Sequence, residues 1–192
     1  MTFREDLLGG RRVAIAGGDG VTILEQLVAL GATVDSIPDD VVLDEDVAAG
    51  WVGERAPLHA LVFCAAPSFG SGGETRLHGS MALAWLSARA VATVALIGAD
   101  GPGKLVFVAP RPDAGPYAQA ARAALENLAR TLSVEWARFL VTAVAIMPGA
   151  TTTDHELAEL VGFLVSDAGR YFSGCRFDLG AVPAEASADR LI

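Results

Sequence analysis

The sequence predicts an α/β domain built on an open, doubly wound parallel sheet. Apolar, strand-like segments alternate with helical patterns along most of the chain, as they do in βαβ units. Segment 58–65 is apolar almost throughout, which is typical of a strand buried on both faces of a parallel sheet. Segment 12–30 has the order strand, glycine-rich turn and helix, which is typical of a nucleotide-binding fold.

The length and composition favour one domain, residues 1–192, with a large core or a core shared between subunits, because 52% of the residues are hydrophobic. The net charge of −9 argues against nucleic acid and anionic membranes as partners, since both need a basic surface. The apolar segment 81–99 is just long enough to span a bilayer, but its alanine content and its internal Arg89 favour a buried or interface helix.

The cysteines and histidines indicate neither disulfides nor metal. Cys64 and Cys175 lie far apart in apolar segments, and the charged N-terminus has no secretory signal. We therefore expect a cytoplasmic protein with reduced, buried cysteines. His59, His78 and His155 lack the spacing of metal ligands, so no metal site is predicted.

The boundaries of the elements follow from apolar periodicity and from turn and capping residues. Pro57 closes one helix, Gly31 ends another, and Thr153 with Glu156 has the pattern of a capping box. Loops are predicted at 67–74 and 110–116. The predicted strands are 12–16, 32–37, 58–65, 105–109, 140–147 and 175–180, and the predicted helices are 22–30, 44–55, 75–97, 117–139 and 154–166.

Four segments together resemble the short-chain dehydrogenase/reductase family. Segment 122–154 resembles its catalytic helix, the next strand and a proline-glycine motif, and segment 156–180 resembles its closing helix and last strand. Segment 103–109, GKLVFVA, resembles the strand that ends in the catalytic serine. Segment 59–67, HALVFCAAP, resembles the strand that ends in an Asn-Asn-Ala-Gly turn. The resemblance covers nearly the whole chain and implies a Rossmann-like, three-layer α/β/α domain.

The glycine-rich turn departs from the family's pattern of Thr-Gly, three residues and Gly-x-Gly. This chain offers Gly17, Gly18, Asp19 and Gly20, and it reaches the helix-ending Gly31 about three residues early. A shorter turn loses part of the pyrophosphate cradle, and a carboxylate at the helix N-terminus repels phosphate. In the alternative interpretation, the glycines simply form a tight turn and Asp19 helps to cap the helix.

The remaining cofactor-binding positions are implied by the resemblance. Asp39 falls where the family has its ribose-binding acid, although an acidic residue after a strand is also an ordinary turn former. Ala65 lies in the altered Asn-Asn-Ala-Gly turn, and Pro148 and Gly149 form the proline-glycine motif. With the glycines, these residues make a vestigial cofactor cleft, and we expect no bound cofactor.

The catalytic positions of the family are vacant or displaced. The family uses a tyrosine, a lysine four residues later, a serine and an asparagine. Alignment puts Ala118 at the tyrosine, Arg122 at the lysine and 109–110, Ala-Pro, at the serine, and 76–84 has no asparagine. Tyr117 is one residue early, and five-residue spacing separates it from Arg122 by about 140° around a helix.

A simpler interpretation of Arg122 is available. Arg122, Glu126 and Arg130 recur at four-residue intervals, which is typical of a solvated stripe of salt bridges. This pattern predicts that Arg122 pairs with Glu126 in water rather than acting in catalysis.

Two connections of this chain are also shorter than the corresponding connections in the family. The second strand runs almost directly into helix 44–55, and only 150–154 separates the proline-glycine motif from the last long helix. The sequence therefore predicts a shortened nucleotide-binding half and no segment that closes over a substrate.

Helices 75–97 and 117–139, which form the subunit interface in this family, are apolar beyond what one sheet face needs. We hypothesise a protein that has lost dinucleotide binding and catalysis and acts as a structural or partner subunit, in a homo-oligomer or in a hetero-oligomer with an active paralogue. The alternative is an NAD- or NADP-dependent oxidoreductase using a displaced Tyr117. A third hypothesis is a binder of another nucleotide or an acyl carrier. The residues expected to approach a partner helix are Ala118, Ala121, Ala124, Leu125, Leu128 and Leu132.

Overall fold

The protein is built on a six-stranded, all-parallel sheet with helices on both faces. The computed structural model describes residues 6–18, 20–70, 73–99 and 101–180. The strands are β1 (Arg12–Ala16), β2 (Thr33–Ser36), β3 (Ala60–Cys64), β4 (Gly103–Val108), β5 (Val141–Met147) and β6 (Arg176–Asp178), in the order β2-β1-β3-β4-β5-β6. The helices are α1 (Val21–Ala29), α2 (Asp39–Val42), α3 (Glu45–Arg55), α4 (Ala65–Phe69), α5 (Glu74–Val91), α6 (Ala118–Glu135) and α7 (Asp154–Val165).

The core has two layers because the central strands are buried on both faces. Every residue of β3 and β4 is buried. One layer joins the sheet to α5 and α6 through side chains such as Phe63 and Leu125, and the other joins it to α1 and α7 through side chains such as Val62 and Val161. The prediction of a doubly wound, three-layer α/β/α domain is therefore confirmed.

The small residues of α6 pack inside the chain rather than toward a partner. Ala118, Ala121 and Leu125 are completely buried, and Leu132 is 2% exposed. Their prediction as residues free to approach a partner helix is wrong, because this side of α6 covers the sheet and α4. Ala124 and Leu128 are half-buried.

The region between β3 and α5 differs from the predicted loop. It begins with α4, whose Pro67 lies in the first turn, where a missing N–H costs no helical hydrogen bond. Phe69 ends α4 fully buried among Ala118 and Ala121, and the Ser68 hydroxyl lies 2.8 Å from that of Ser80 on α5. The burial of Phe69 thus stabilises the helical form of this short segment. The apolar periodicity of the sequence does not reveal this tertiary contact.

Both connections are short, but the first contains a helix, α2, that the sequence did not predict. β2 is an edge strand, and only α2 and α3 connect it to β3. α7 begins at Asp154, one residue after Thr153, whose hydroxyl accepts from the N–H of Glu156 while the Glu156 carboxylate accepts from the N–H of Thr153. Only residues 150–153 lie between the proline-glycine motif and α7.

The long apolar helix is α5 together with a π-helical turn, Ala92–Leu96. By length and composition alone it is the one helix of the described residues that could cross a membrane. A core helix passes the same test, and Leu83, Ala84, Ala88 and Val91 pack against the sheet. These contacts agree with the predicted buried helix.

Lys104 is a buried lysine in β4, only 2% exposed. Its Nζ donates to the carbonyl oxygens of Leu164 and Ser166 at the end of α7, where the helix dipole favours a cation. Burial lowers the pKa of Lys104 to about 8. The lysine therefore links α7 to the sheet at the end opposite the predicted cofactor cleft.

Both cysteines carry free thiols. Cys64 is buried as predicted, whereas Cys175 is only half-buried, because it precedes β6 at the edge of the sheet.

Candidate cofactor cleft

The glycine turn after β1 is closed over by α4. A Cβ on Gly17 would lie 2.6 Å from the carbonyl oxygen of Cys64, and one on Gly18 would lie 2.4 Å from the Cβ of Pro67. The N–H of Ser68 also donates to the carbonyl of Gly17, at 3.1 Å. Both glycines have positive φ, +87° and +121°. The turn therefore needs glycine for its own conformation and for its contact with α4.

Gly20 directly precedes α1 as its N-cap and supplies no side-chain cap. The predicted role of Asp19 at this helix end falls outside the described residues. A Cβ on Gly20 would lie 2.8 Å from the Sγ of Cys64, so this glycine is also held closely by β3. Burial raises the pKa of the Cys64 thiol to about 12, which leaves it a neutral packing group at pH 7.

Two separate cavities flank the glycine turn. The first, of about 310 Å³, lies between the start of α1 and α4 and includes Gly20, Cys64, Pro67 and Asp154. The second, of about 300 Å³, lies beside β2 and includes Gly18 and Asp39. Both volumes are at the lower end of the range for small-molecule sites.

Asp39 lies in the first turn of α2 rather than in a simple turn. Burial, with a smaller effect from the neighbouring Asp40, raises the pKa of Asp39. Asp39 lines the second cavity.

Four of the predicted cleft residues line neither cavity: Gly17, which lies against Cys64, and Ala65, Pro148 and Gly149. Ala65 is the first residue of α4 and is completely buried. Pro148 is buried, and a Cβ on Gly149 would lie 2.6 Å from the carbonyl oxygen of Leu179. The structure thus brings Gly18, Gly20 and Asp39 to cavities and leaves Gly17, Ala65, Pro148 and Gly149 as packing positions around them.

The side chain of Arg122 binds main-chain carbonyl groups. Its Nη1 donates to the carbonyl oxygens of Pro110 and Pro148, both at 2.8 Å, and so links the residues that follow β4 and β5. The predicted ion pair with Glu126 is wrong for this arginine, because Glu126 instead pairs with Arg130 and Arg176, at 2.7 and 2.8 Å. Burial lowers the pKa of Arg122, and the two carbonyl oxygens compensate its charge.

Arg111 forms a second link at the same end of the sheet, which the sequence analysis missed. Its guanidinium donates to the carbonyl oxygens of Gly149, at 3.0 Å, and Thr152, and it pairs with Asp154 at 2.9 Å. Two of these partners are backbone atoms, so the sequence carries no pairing signal for them. Only its place in a loop directly after a strand, between two prolines, could have drawn attention to it.

The resemblance places Ala118 at the family's tyrosine position and Ala109 and Pro110 at its serine position. Ala118, at the tyrosine position, is completely buried against Phe69. Ala109 is buried and, like Pro110, has no side-chain hydrogen-bonding group. Tyr117 precedes α6 and is 39% exposed. Within the described part of the chain no three His, Cys, Asp or Glu residues cluster as a metal site.

The chain matches no family model and no curated protein. Solved structures do match. The chain is similar to a citronellol catabolism dehydrogenase of Pseudomonas aeruginosa PAO1, with 22% identity, a TM-score of 0.73, and 92% of this chain and 96% of that chain covered. It is also similar to a short-chain dehydrogenase of Mycobacterium smegmatis, with 18% identity, a TM-score of 0.74, and 94% and 95% covered.

A third similar structure is BdcA in complex with NADPH, with 17% identity, a TM-score of 0.68, and 90% of this chain and 94% of that chain covered. These proteins share the sheet and helix layers described above. The chain therefore has the fold of the short-chain dehydrogenases/reductases.

Proposed function

We propose that this chain is a member of the short-chain dehydrogenase/reductase family that has lost dinucleotide-dependent catalysis and acts as a structural or partner subunit of an oligomer. The observation that carries this proposal is the position of Arg122. The residue at the family's lysine position holds two main-chain carbonyls together, so it stabilises the end of the sheet instead of facing a tyrosine.

The glycine turn supports the loss of cofactor binding. In the family this turn lets the backbone approach the pyrophosphate. Here Pro67 lies against Gly18, and the N–H of Ser68 donates to the carbonyl oxygen of Gly17. Helix α4 therefore fills space beside the turn and occupies the carbonyl group of Gly17. A dinucleotide joining the two cavities would have to pass this contact.

The outer surface of α5 and α6 supports a role in association. Trp85 of α5 is 42% exposed and stacks on Trp136 beyond the end of α6, with ring centroids 6.5 Å apart. Val134 of α6 is 76% exposed. Exposed aromatic residues are enriched where protein surfaces meet, because they bury a large area at low entropic cost.

Sedimentation velocity tests the role in association. We expect the wild-type chain to form a dimer at micromolar concentration, and we expect Ala82→Glu to shift it to a monomer. Ala82 is exposed on α5 one helical turn before Trp85, so a charge there disrupts an interface without disturbing the core. Tyr171→Glu, at a residue that is 81% exposed outside α5 and α6, is the matched control.

The proposal of a homo-oligomer is contradicted if the wild-type chain is monomeric alone. In that case a mixed oligomer requires a dimer to appear when a catalytically active protein of the same fold is added, and the absence of any such complex refutes the role in association. A dimer that persists in Ala82→Glu places the interface elsewhere.

A second candidate is an NAD- or NADP-dependent oxidoreductase using Tyr117. The observation that favours it is the pair of cavities, about 310 and 300 Å³, on either side of the glycine turn. This candidate requires turnover with a nicotinamide cofactor that is lost in Tyr117→Phe, since that change removes only the phenolic proton donor.

A further inference from the structure

The exposed side of α3 carries residues that the fold of this chain does not explain. Helix α3 contacts α5 and buries Ala48 and Val52, which are 3% and 0% exposed. At about 100° of rotation per residue, five exposed residues lie together within an arc of about 120° on the opposite side of the helix. They are Asp46, Val47, Gly50, Gly53 and Glu54, and we call them the outer face of α3.

Gly50 and Gly53 are interior helical glycines that the packing of the described chain does not require. A Cβ on either would meet nothing within 4 Å, and neither has a positive φ. Glycine inside a helix is less stable than alanine, so both positions lower the stability of α3. Local choices that oppose the fold are expected at functional sites. Together the two glycines leave a notch on the outer face of α3 where another backbone has room to approach closely.

Two aliphatic side chains are exposed beside the notch. Val47, about one helical turn before Gly50, is 50% exposed, and Leu43, which directly precedes the N-cap Asp44, is 63% exposed. A single exposed aliphatic residue is ordinary on a protein surface. Val47, however, borders a notch that is open to a second backbone, and apolar side chains around a close backbone contact are typical of paired helices. The outer face of α3 therefore has the shape and the apolar contact of an unpaired helix surface.

The outer face of α3 is also acidic. Asp46 and Glu54 lie four residues before and four residues after Gly50. Glu54 pairs with the neighbouring Arg55 at 3.3 Å, and within the described part of the chain no cation pairs with Asp46. Asp46 stabilises the first turn of α3, but Glu54 lies in the last turn, where the helix dipole opposes a carboxylate. The position of Glu54 is thus another choice that the stability of α3 does not explain.

The charges decide between a second copy of this chain and another protein. An antiparallel pair of α3 helices centred on Gly50 would set Asp46 against the second copy's Glu54, so like charges would meet at both ends of the contact. A parallel pair would align the two helix dipoles unfavourably. A helix that carries arginine or lysine would instead be attracted to both carboxylates. The outer face of α3 therefore suits a basic helix of another protein.

We propose that the outer face of α3 binds a basic amphipathic helix of a partner protein. Small residues of that helix pack on Gly50 and Gly53, an aliphatic side chain contacts Val47, and arginines or lysines pair with Asp46 and Glu54. This surface shares no residue with the surface of α5 and α6 that Ala82→Glu tests. Binding at α3 is therefore independent of the proposed function, and either can fail without the other.

The test is a calorimetric titration of the wild-type chain with synthetic peptides of about 18 residues, which is long enough to form a helix. The first peptide has alanine and leucine along one helical face and arginine on both flanks. The second has the same composition in an order that disperses the leucines around the helix, and the third has glutamate in place of arginine. We expect the first peptide to bind saturably and more tightly than the second by about tenfold or more, and we expect no binding of the third.

Filling the notch separates a functional glycine from a merely tolerated one. Gly50→Leu should raise the unfolding midpoint, because leucine favours the helix and its Cβ meets open space. The same change should weaken binding of the first peptide by about tenfold or more, since the partner backbone loses its place. Gly79→Leu, at an equally open helical glycine of α5, is the matched control and should leave binding unchanged.

Two further variants test the apolar and the charged contacts. Val47→Ser should weaken binding of the first peptide by about tenfold, whereas Val28→Ser, at a residue of α1 that is 51% exposed, should leave it unchanged. Glu54→Gln should weaken binding by about threefold, because one exposed ion pair is lost. Glu25→Gln, at an exposed carboxylate of α1, is its control.

The proposal is overturned if the first peptide gives no saturable binding, or if the peptide with dispersed leucines binds as tightly. It is equally overturned if Gly50→Leu binds the first peptide as well as the wild-type chain does. Losses of the same size in Gly79→Leu or Val28→Ser would place the peptide elsewhere and also refute it.

Discussion

Replacing Arg122 with methionine is expected to lower the free energy of unfolding by about 3 kcal/mol, because it leaves the carbonyl oxygens of Pro110 and Pro148 without their charged donor. Both prolines are buried, so water replaces the lost bonds poorly. In a chain of this size the change corresponds to a fall of about 10 °C in the unfolding midpoint. Urea unfolding followed by circular dichroism measures it.

Two further variants separate the role of Arg122 from that of a surface charge. Arg130→Met removes an exposed arginine of the same helix that pairs with Glu126, and it should cost at most about 1 kcal/mol. Arg122→Lys keeps the charge but not the planar donor group, and it should recover only part of the loss. Equal stability of Arg122→Met and Arg130→Met would mean that Arg122 is solvated, as its four-residue spacing predicts.

Replacing Gly18 with alanine is expected to destabilise the chain by about 3 kcal/mol, from backbone strain at φ +121° and from overpacking against Pro67. The new Cβ would lie 2.4 Å from the Cβ of Pro67, which is part of a rigid ring. Thermal or urea unfolding measures the effect. Gly79→Ala is the matched control, since its helix position is open and alanine there favours the helix.

A double-mutant cycle identifies the contact between the glycine turn and α4. Pro67→Gly removes the Cβ that Gly18→Ala would meet, so Gly18→Ala should cost less in the Pro67→Gly background than in the wild-type chain. The backbone strain is the same in both backgrounds and cancels. Independent, additive effects of the two changes would show that α4 does not pack on the glycine turn in solution.

The sheet and its two helix layers could be predicted because their signals are periodic and local. The apolar segment 58–65 contains β3, and the capping box at Thr153 marks the start of α7 within one residue. α4 was missed because its helical form depends on burying Phe69 against α6, a contact that only the folded chain contains. The same limit explains why Ala118 and Ala121 were assigned to a partner surface rather than to the core.

The site was less predictable than the fold because its contacts are between side chains and backbone. Arg122 and Arg111 donate mainly to carbonyl oxygens, which every residue possesses, so no spacing rule finds these partners. The four-residue pattern correctly paired Arg130 with Glu126 but wrongly included Arg122. The glycine turn was recognisable as a turn, whereas its contact with Pro67 depended on the unrecognised α4.

The most direct test of the central claim is thermal unfolding of the purified chain alone and with saturating NAD+, NADH, NADP+ or NADPH. A ligand at a hundred times its dissociation constant adds about 2.7 kcal/mol of stability, which is readily measured. We predict no shift of the unfolding midpoint with any of the four, because α4 occupies the space beside the glycine turn. A clear rise with one of them would show that the cleft still binds a dinucleotide and would contradict the account.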